Sequence, residues 1–242
     1  MSMEFWELIL SKEFPSDFSF AYNQKKCLQS SFTPYQDNGG TVVTINLEDF
    51  SIIASDTRII SGFSIPSRET IRVIKISENI LLSTTGMRVD MLILQEKFRQ
   101  LVNSWEINNN KNVSVSSGAY FLSSILYSRR FFPFYTFNIV SGKESDGQVT
   151  GFSFDAVGSF EICRAGSSGS GHHFIQPILD TLFKCPSITS ESRKGKILTN
   201  IMLIKHLFLT ASRRNIEIGD GIQIFIFTKK GILVENNILK SD

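Results

Sequence analysis

Short β-branched runs separated by turn residues begin at Thr41, and they limit what this chain can become. Thr41 to Leu47 and Phe50 to Ser55 pair across Glu48-Asp49, and Thr70 to Ile76 and Asn79 to Thr84 pair across Ser77-Glu78. Such runs joined by tight turns are hairpin signals. Met91, Leu94, Phe98, Leu101, Val102 and Trp105 then recur at helical spacing up to Asn108-Asn109-Asn110, and a second helix is expected from Ser116 to Arg130. Strands return at Phe134 to Val140, Val149 to Phe154 and Ser159 to Cys163. A third helix opens near Ser170, and a fourth carries Ile197, Ile201, Ile204, Phe208 and Ala211 on one stripe. A closing hairpin, Gly221 to Thr228 and Gly231 to Glu235, turns through Lys229-Lys230. The order is strands, two helices, strands, two helices, strands. Each sheet therefore has helices on one side and can bury its other face against the second sheet. The predicted fold is α+β, a four-layer αββα sandwich with two antiparallel sheets between helix layers. The periodicity is equally compatible with two separate α+β lobes.

Residues 1–37 follow no sustained period, mixing Phe14-Pro15, Phe18, Phe20 and Tyr22 with Lys25-Lys26 and Ser30-Ser31. They read as an appended arm on a single domain spanning 38–242. The 242 residues suffice for a full core, and 42% hydrophobic with 20% charged residues is ordinary for a globular chain. A net charge of +2 leaves no nucleic-acid footprint. No run approaches the roughly 18 apolar residues that span a bilayer, and the Met1 to Leu10 stretch carries Glu4 and Glu7 without the basic start of a secretory signal. Cys27, Cys163 and Cys185 are an odd set without CxxC spacing, which fits reduced thiols better than a disulfide framework or a zinc site. An intracellular soluble protein is expected, with no metal or cofactor. Phenylalanine is abundant, 21 residues against 5 Tyr and 2 Trp, and core use is the expected reason.

Four motifs in order carry a resemblance. Gly39-Gly40-Thr41, Ser55-Asp56-Thr57-Arg58, Ser168-Gly169-Ser170-Gly171 and Arg213-Arg214-Asn215…Gly219-Asp220-Gly221 together resemble a proteasome β subunit of the N-terminal-nucleophile hydrolase superfamily, over roughly Phe32 to the C-terminus. Asp37 to Thr41, Ser128-Arg129-Arg130-Phe131-Phe132-Pro133, Phe154 to Ser159 and Cys163-Arg164-Ala165-Gly166 are similar to the β type-1 class, a non-catalytic class at the sixth β position of the eukaryotic ring.

Threonine proteolysis needs a hydroxyl on the first residue, a free α-amine as base, a nearby cation and backbone N–H groups for the oxyanion. By the resemblance, the nucleophile position falls on Gly40, which has no side chain. Thr41 is one residue late, and alternation along a strand sends its hydroxyl to the opposite face unless a bulge intervenes. An active peptidase using Thr41 is the alternative reading. Asp56 matches the supporting carboxylate, with a plainer role of holding Arg58 or backbone amides. The lysine position falls on Arg72, whose guanidinium stays protonated and cannot relay protons. Ser170 matches the serine near the nucleophile, and would otherwise be a helix N-cap. The late Asp-x-x-Ser pair falls on Asn215 and Ile218, which supply neither carboxylate nor hydroxyl. His172-His173 lacks partners at metal-ligand spacing, His206 lies within the fourth helix, and the Ser167 to Gly171 run lacks the Lys-Ser/Thr ending of a phosphate loop.

The resemblance implies a non-catalytic subunit of the 20S core, working with other α and β subunits in a 28-subunit particle. That particle carries out ubiquitin- and ATP-dependent protein degradation in cytoplasm and nucleus. It also implies that the arm is a propeptide, trimmed near Ser30-Ser31 by a neighbouring active subunit.

Overall fold

The computed structural model describes residues 34–47, 49–184, 193–228 and 231–239. One compact unit runs from Tyr35 to Asp242. Most of the expected arm, Glu48 of the first turn and the Lys229-Lys230 turn lie outside the described residues.

The first sheet contains β1 (Thr41–Leu47), β2 (Phe50–Asp56), β10 (Ala165–Gly169), β11 (Gly221–Thr228) and β12 (Gly231–Ile238), in the order β10-β1-β2-β11-β12. The second contains β5 (Val73–Ser77), β6 (Ile80–Gly86), β7 (Thr136–Lys143), β8 (Val149–Phe154) and β9 (Phe160–Ile162), in sequential order. All pairings are antiparallel. A separate two-stranded ribbon, β3 (Ile59–Ser61) and β4 (Ser64–Ser67), leaves the end of β2.

Side-chain alternation builds the layers. Val43 and Ile45 of β1 and Ile52 and Ala54 of β2 join one buried cluster with Ile175 and Leu179 of α3 (His172–Lys184) and Ile204 and Phe208 of α4 (Arg193–Ser212). Their neighbours Val42 and Ile53 face the other way, into a cluster with Val73, Leu81 and Ile139 between the sheets. On the far side of the second sheet, Ile80, Leu82 and Val140 pack with Leu94 and Phe98 of α1 (Arg88–Asn109) and Ala119 and Leu122 of α2 (Val115–Tyr127). These are the four layers of an αββα sandwich, and they exclude the two-lobe alternative. The helix ends follow local chemistry. Asn110 closes α1 in a left-handed conformation, φ 50°, and the Ser114 hydroxyl accepts the Ser117 N–H at the start of α2.

Two elements differ from expectation. The third helix starts at His172, close to its expected opening, but β10 (Ala165–Gly169) beside β1 was not expected. The β3–β4 ribbon has no counterpart in the periodicity. β12 is one of the two outer strands of the first sheet among the described residues, and its Leu233, Val234 and Ile238 are exposed. Among the described phenylalanines, Phe50, Phe98, Phe134, Phe152, Phe154, Phe208 and Phe227 are buried, while Phe63, Phe131 and Phe132 are exposed, so core use is only part of the reason for their number.

Candidate active site

Gly40 enters β1 at φ +91°, a backbone conformation that L side chains rarely adopt. Sequence neighbour Val42 points between the sheets, so a side chain at position 40 would point the same way. That space is taken. A Cβ built on Gly40 would lie 2.0 Å from the central guanidinium carbon of Arg72. Arg72 is completely buried just before β5. Its Nε donates to Asp56 Oδ1 at 3.2 Å, one terminal nitrogen donates to the Arg58 carbonyl, and the other faces the Met91 sulfur at 3.9 Å. The arginine therefore fills the volume that a side chain on residue 40 would need.

Asp56 ends β2, fully buried. Besides Arg72, its Oδ1 accepts the Thr41 N–H at 2.8 Å, while Oδ2 has no hydrogen-bond partner among the described residues. Burial pushes its carboxyl up to about 6, against the opposing pull of Arg72 and the Thr41 N–H. The expected backbone role thus holds, but Arg58 is committed elsewhere. Its guanidinium bridges Asp220 at 2.7 and 3.1 Å and donates to the Ile216 carbonyl at 2.9 Å. The Asp220 carboxyl, which also pairs with Arg68, is held below the usual range by these partners despite partial burial.

Thr41 points to the other face, as alternation requires. Its hydroxyl accepts the Gly171 N–H at 2.9 Å and lies 3.4 Å from the Ser170 hydroxyl. The residue is fully buried, and its nitrogen is an amide already donating to Asp56. Ser170 is no N-cap of α3: its hydroxyl donates to the Gly40 carbonyl at 3.3 Å. Asn215 donates to the Ser170 carbonyl at 3.2 Å, and Ile218 is buried in the helix-side cluster against Gly171. Asn215 thus acts as a loop tie and Ile218 as an apolar plug. His172 is partly buried, with Nδ1 2.9 Å from the Ser167 carbonyl, which makes it a local strut.

The structure brings Gly40, Thr41, Asp56, Arg72, Ser170, Asn215 and Ile218 into one neighbourhood, without assembling a nucleophile, a base and a cation around an open space. Among the described residues no three His, Cys, Asp or Glu side chains gather to hold a metal ion, and no helix there is long and apolar enough to cross a membrane. A cleft of about 670 Å³ opens beside the centre, carrying the carboxylates of Asp37, Asp155, Glu161 and Glu217. Sequence reasoning passed over Asn38, which ties the approach to Gly40 to two separate elements. Its only signal was its place in the motif before Thr41.

A match to the proteasome subunit family spans residues 36–219. The chain belongs to the proteasome β-subunit family. It is 34% identical to proteasome subunit beta type-1 of Danio rerio over 224 residues, covering 91% of this chain and 94% of that protein. Proteasome subunit beta type-6 of Saccharomyces cerevisiae is 36% identical, over 89% of this chain and 93% of its own length. Proteasome subunit beta type-1 of Arabidopsis thaliana is 35% identical, over 88% and 98%. The sandwich described above is accordingly the N-terminal-nucleophile hydrolase fold of this family.

Proposed function

We propose that this chain is a non-catalytic, structural β subunit of the 20S core. In this role it helps to assemble the ring and forms part of the wall of the proteolytic chamber, in ubiquitin- and ATP-dependent protein degradation in cytoplasm and nucleus. Its partners are other β and α subunits in a 28-subunit particle, and protein substrates pass through the chamber. The residues before Ser31 are a propeptide, cut near Ser30-Ser31 by a neighbouring active subunit. One observation carries the reading: the Arg72 guanidinium occupies the space that a side chain at residue 40 would need. Thr41 does not substitute, because its hydroxyl is buried on the opposite face as an acceptor for Gly171.

The test is active-site labelling. Assembled particles are treated with an epoxyketone that captures N-terminal threonine, and each subunit is weighed intact. This chain is expected to carry no adduct while active subunits in the same particle do. An adduct on Thr41 would overturn the proposal in favour of an active peptidase.

A further inference from the structure

The chain passes from the second sheet back to the first within a single peptide unit, and one residue holds both ends of it. Cys163 still extends the second sheet, where its N–H donates to the Gly151 carbonyl of β8 at 2.8 Å. Arg164 already extends the first, and its carbonyl accepts the N–H of Asn46 in β1 at 2.7 Å. The Asn46 side chain shares the inward face of Val42, between the sheets. There its Nδ2 donates to the Cys163 carbonyl at 2.7 Å.

The amide is bonded at its other end too. Oδ1 accepts from the Ser51 hydroxyl at 2.6 Å and from the Thr44 hydroxyl at 3.2 Å. Hydroxyl donors at one end and a carbonyl acceptor at the other fix which way the amide points. Asn46 is buried, as are Thr44, Ser51 and Ser141, whose hydroxyl lies 3.4 Å from that of Thr44. Opposite Asn46, the second sheet carries Gly151. A Cβ there would lie 1.9 Å from Asn46 Nδ2, so the bare glycine on one sheet admits the amide from the other.

The apolar cluster between the sheets is the smallest of the three. Apolar contact is non-directional, so a small cluster specifies the placement of one sheet on another only weakly. A buried polar group is stricter, because each displaced bond leaves a donor or acceptor unpaired. Asn46 keeps its bonds to Thr44, Ser51, Cys163 and Arg164 in one placement of the two sheets.

We propose that Asn46, seated in the recess at Gly151, is a lock that sets where the second sheet docks on the first. Each sheet forms without it. The lock selects one placement of the pair and fixes the β9–β10 passage, at the far end of β1 from Gly40. At the other passage between the sheets, just before β5, the Asp56–Arg72 pair makes a comparable tie.

Hydrogen exchange and methyl NMR on the full-length chain test this. In Asn46→Leu and in Gly151→Ala, the amides of residues 46 and 163 should exchange roughly tenfold faster or more, while the Leu82 amide inside the second sheet keeps its wild-type rate. The methyl signals of Val42 and Ile139, between the sheets, should broaden or double. Those of Leu94 and Ile204, in the helix-facing clusters, should stay single. Equal acceleration at residues 46, 82 and 163 would mark Asn46 as ordinary stabilisation and overturn the proposal. Single, sharp Val42 and Ile139 signals in both variants would do the same. If either variant does not fold, Asn46→Ala/Gly151→Ala decides, because its new methyl group enters space that the amide has left. That double variant should fold and still show the fast amides and the broadened methyls. Wild-type exchange at residues 46 and 163, or failure of the double variant to fold, refutes the lock.

Discussion

Putting a side chain at position 40 sets it against a buried guanidinium, and the cost can be worked out. Gly40→Ala introduces two penalties. The backbone at φ +91° strains any residue with a Cβ by about 1–3 kcal/mol. The new methyl group would also sit 2.0 Å from Arg72 Cζ, so the guanidinium must move. Arg72 ends a flexible side chain, but it is fully enclosed and can leave only by giving up Asp56 and the Arg58 carbonyl. Breaking a buried ion pair costs about 3–5 kcal/mol. The total is about 4–8 kcal/mol, a large part of the 5–15 kcal/mol typical of a whole domain. Arg72→Ala should cost about 3–5 kcal/mol, for the charge left unpaired on Asp56. The double variant adds only backbone strain to that, so its cost should fall short of the sum of the two single costs by about 3–5 kcal/mol. Urea unfolding of the isolated chain, comparing midpoints at matched slopes, measures all three variants. Additivity within about 0.5 kcal/mol would show that position 40 and Arg72 do not compete for one space.

Two further outcomes follow from ionisation. Burial pushes the Asp56 carboxyl up to about 6 in the folded chain from an ordinary value of 3.8, so the fold favours its protonated form. Its stabilising contribution is full below about pH 4 and is lost as pH rises through 6, a change of about 3 kcal/mol. Urea unfolding from pH 4 to 7 should show this loss in the wild type but not in Asp56→Asn, and parallel profiles would refute it. The Cys163 thiol is pushed up to about 12 by burial and by Glu161 and Asp180. Iodoacetamide at pH 8 should therefore leave it unmodified in the native chain and alkylate it promptly in urea, whereas native labelling at the rate of free cysteine would contradict that.

Much of this architecture was legible in the sequence because the core strands are apolar on both faces and bounded by turn residues. Thr41–Leu47 and Phe50–Asp56 match their expected limits closely, as does the helix ending at Asn109 before the left-handed Asn110. The ribbon Ile59–Ser61 and Ser64–Ser67 was missed because strands of three and four residues are too short to show a period. Ala165–Gly169 was not expected as a strand because its small residues carry no β-branched signal. They suit their place, where Ser168 lies 3.0 Å from the Thr85 hydroxyl of the facing sheet. The sequence motif was enough to single out Gly40, whose missing side chain leaves space at the entry to β1. That Arg72 fills the resulting space depends on a contact between residues far apart in sequence, which no local pattern encodes. The pairing of Arg58 with Asp220, where Asp56 was expected, is invisible for the same reason.

The eight-residue outer margin of the first sheet has a consequence for the cell that makes this chain. Along β12, Leu233, Val234 and Ile238 lie open beside backbone groups that no sixth strand among the described residues covers. Uncapped margins of this kind invite indiscriminate sticking. Copies made in excess of their companions would therefore clump or be destroyed, so supply of this polypeptide has to keep pace with whatever shields that margin.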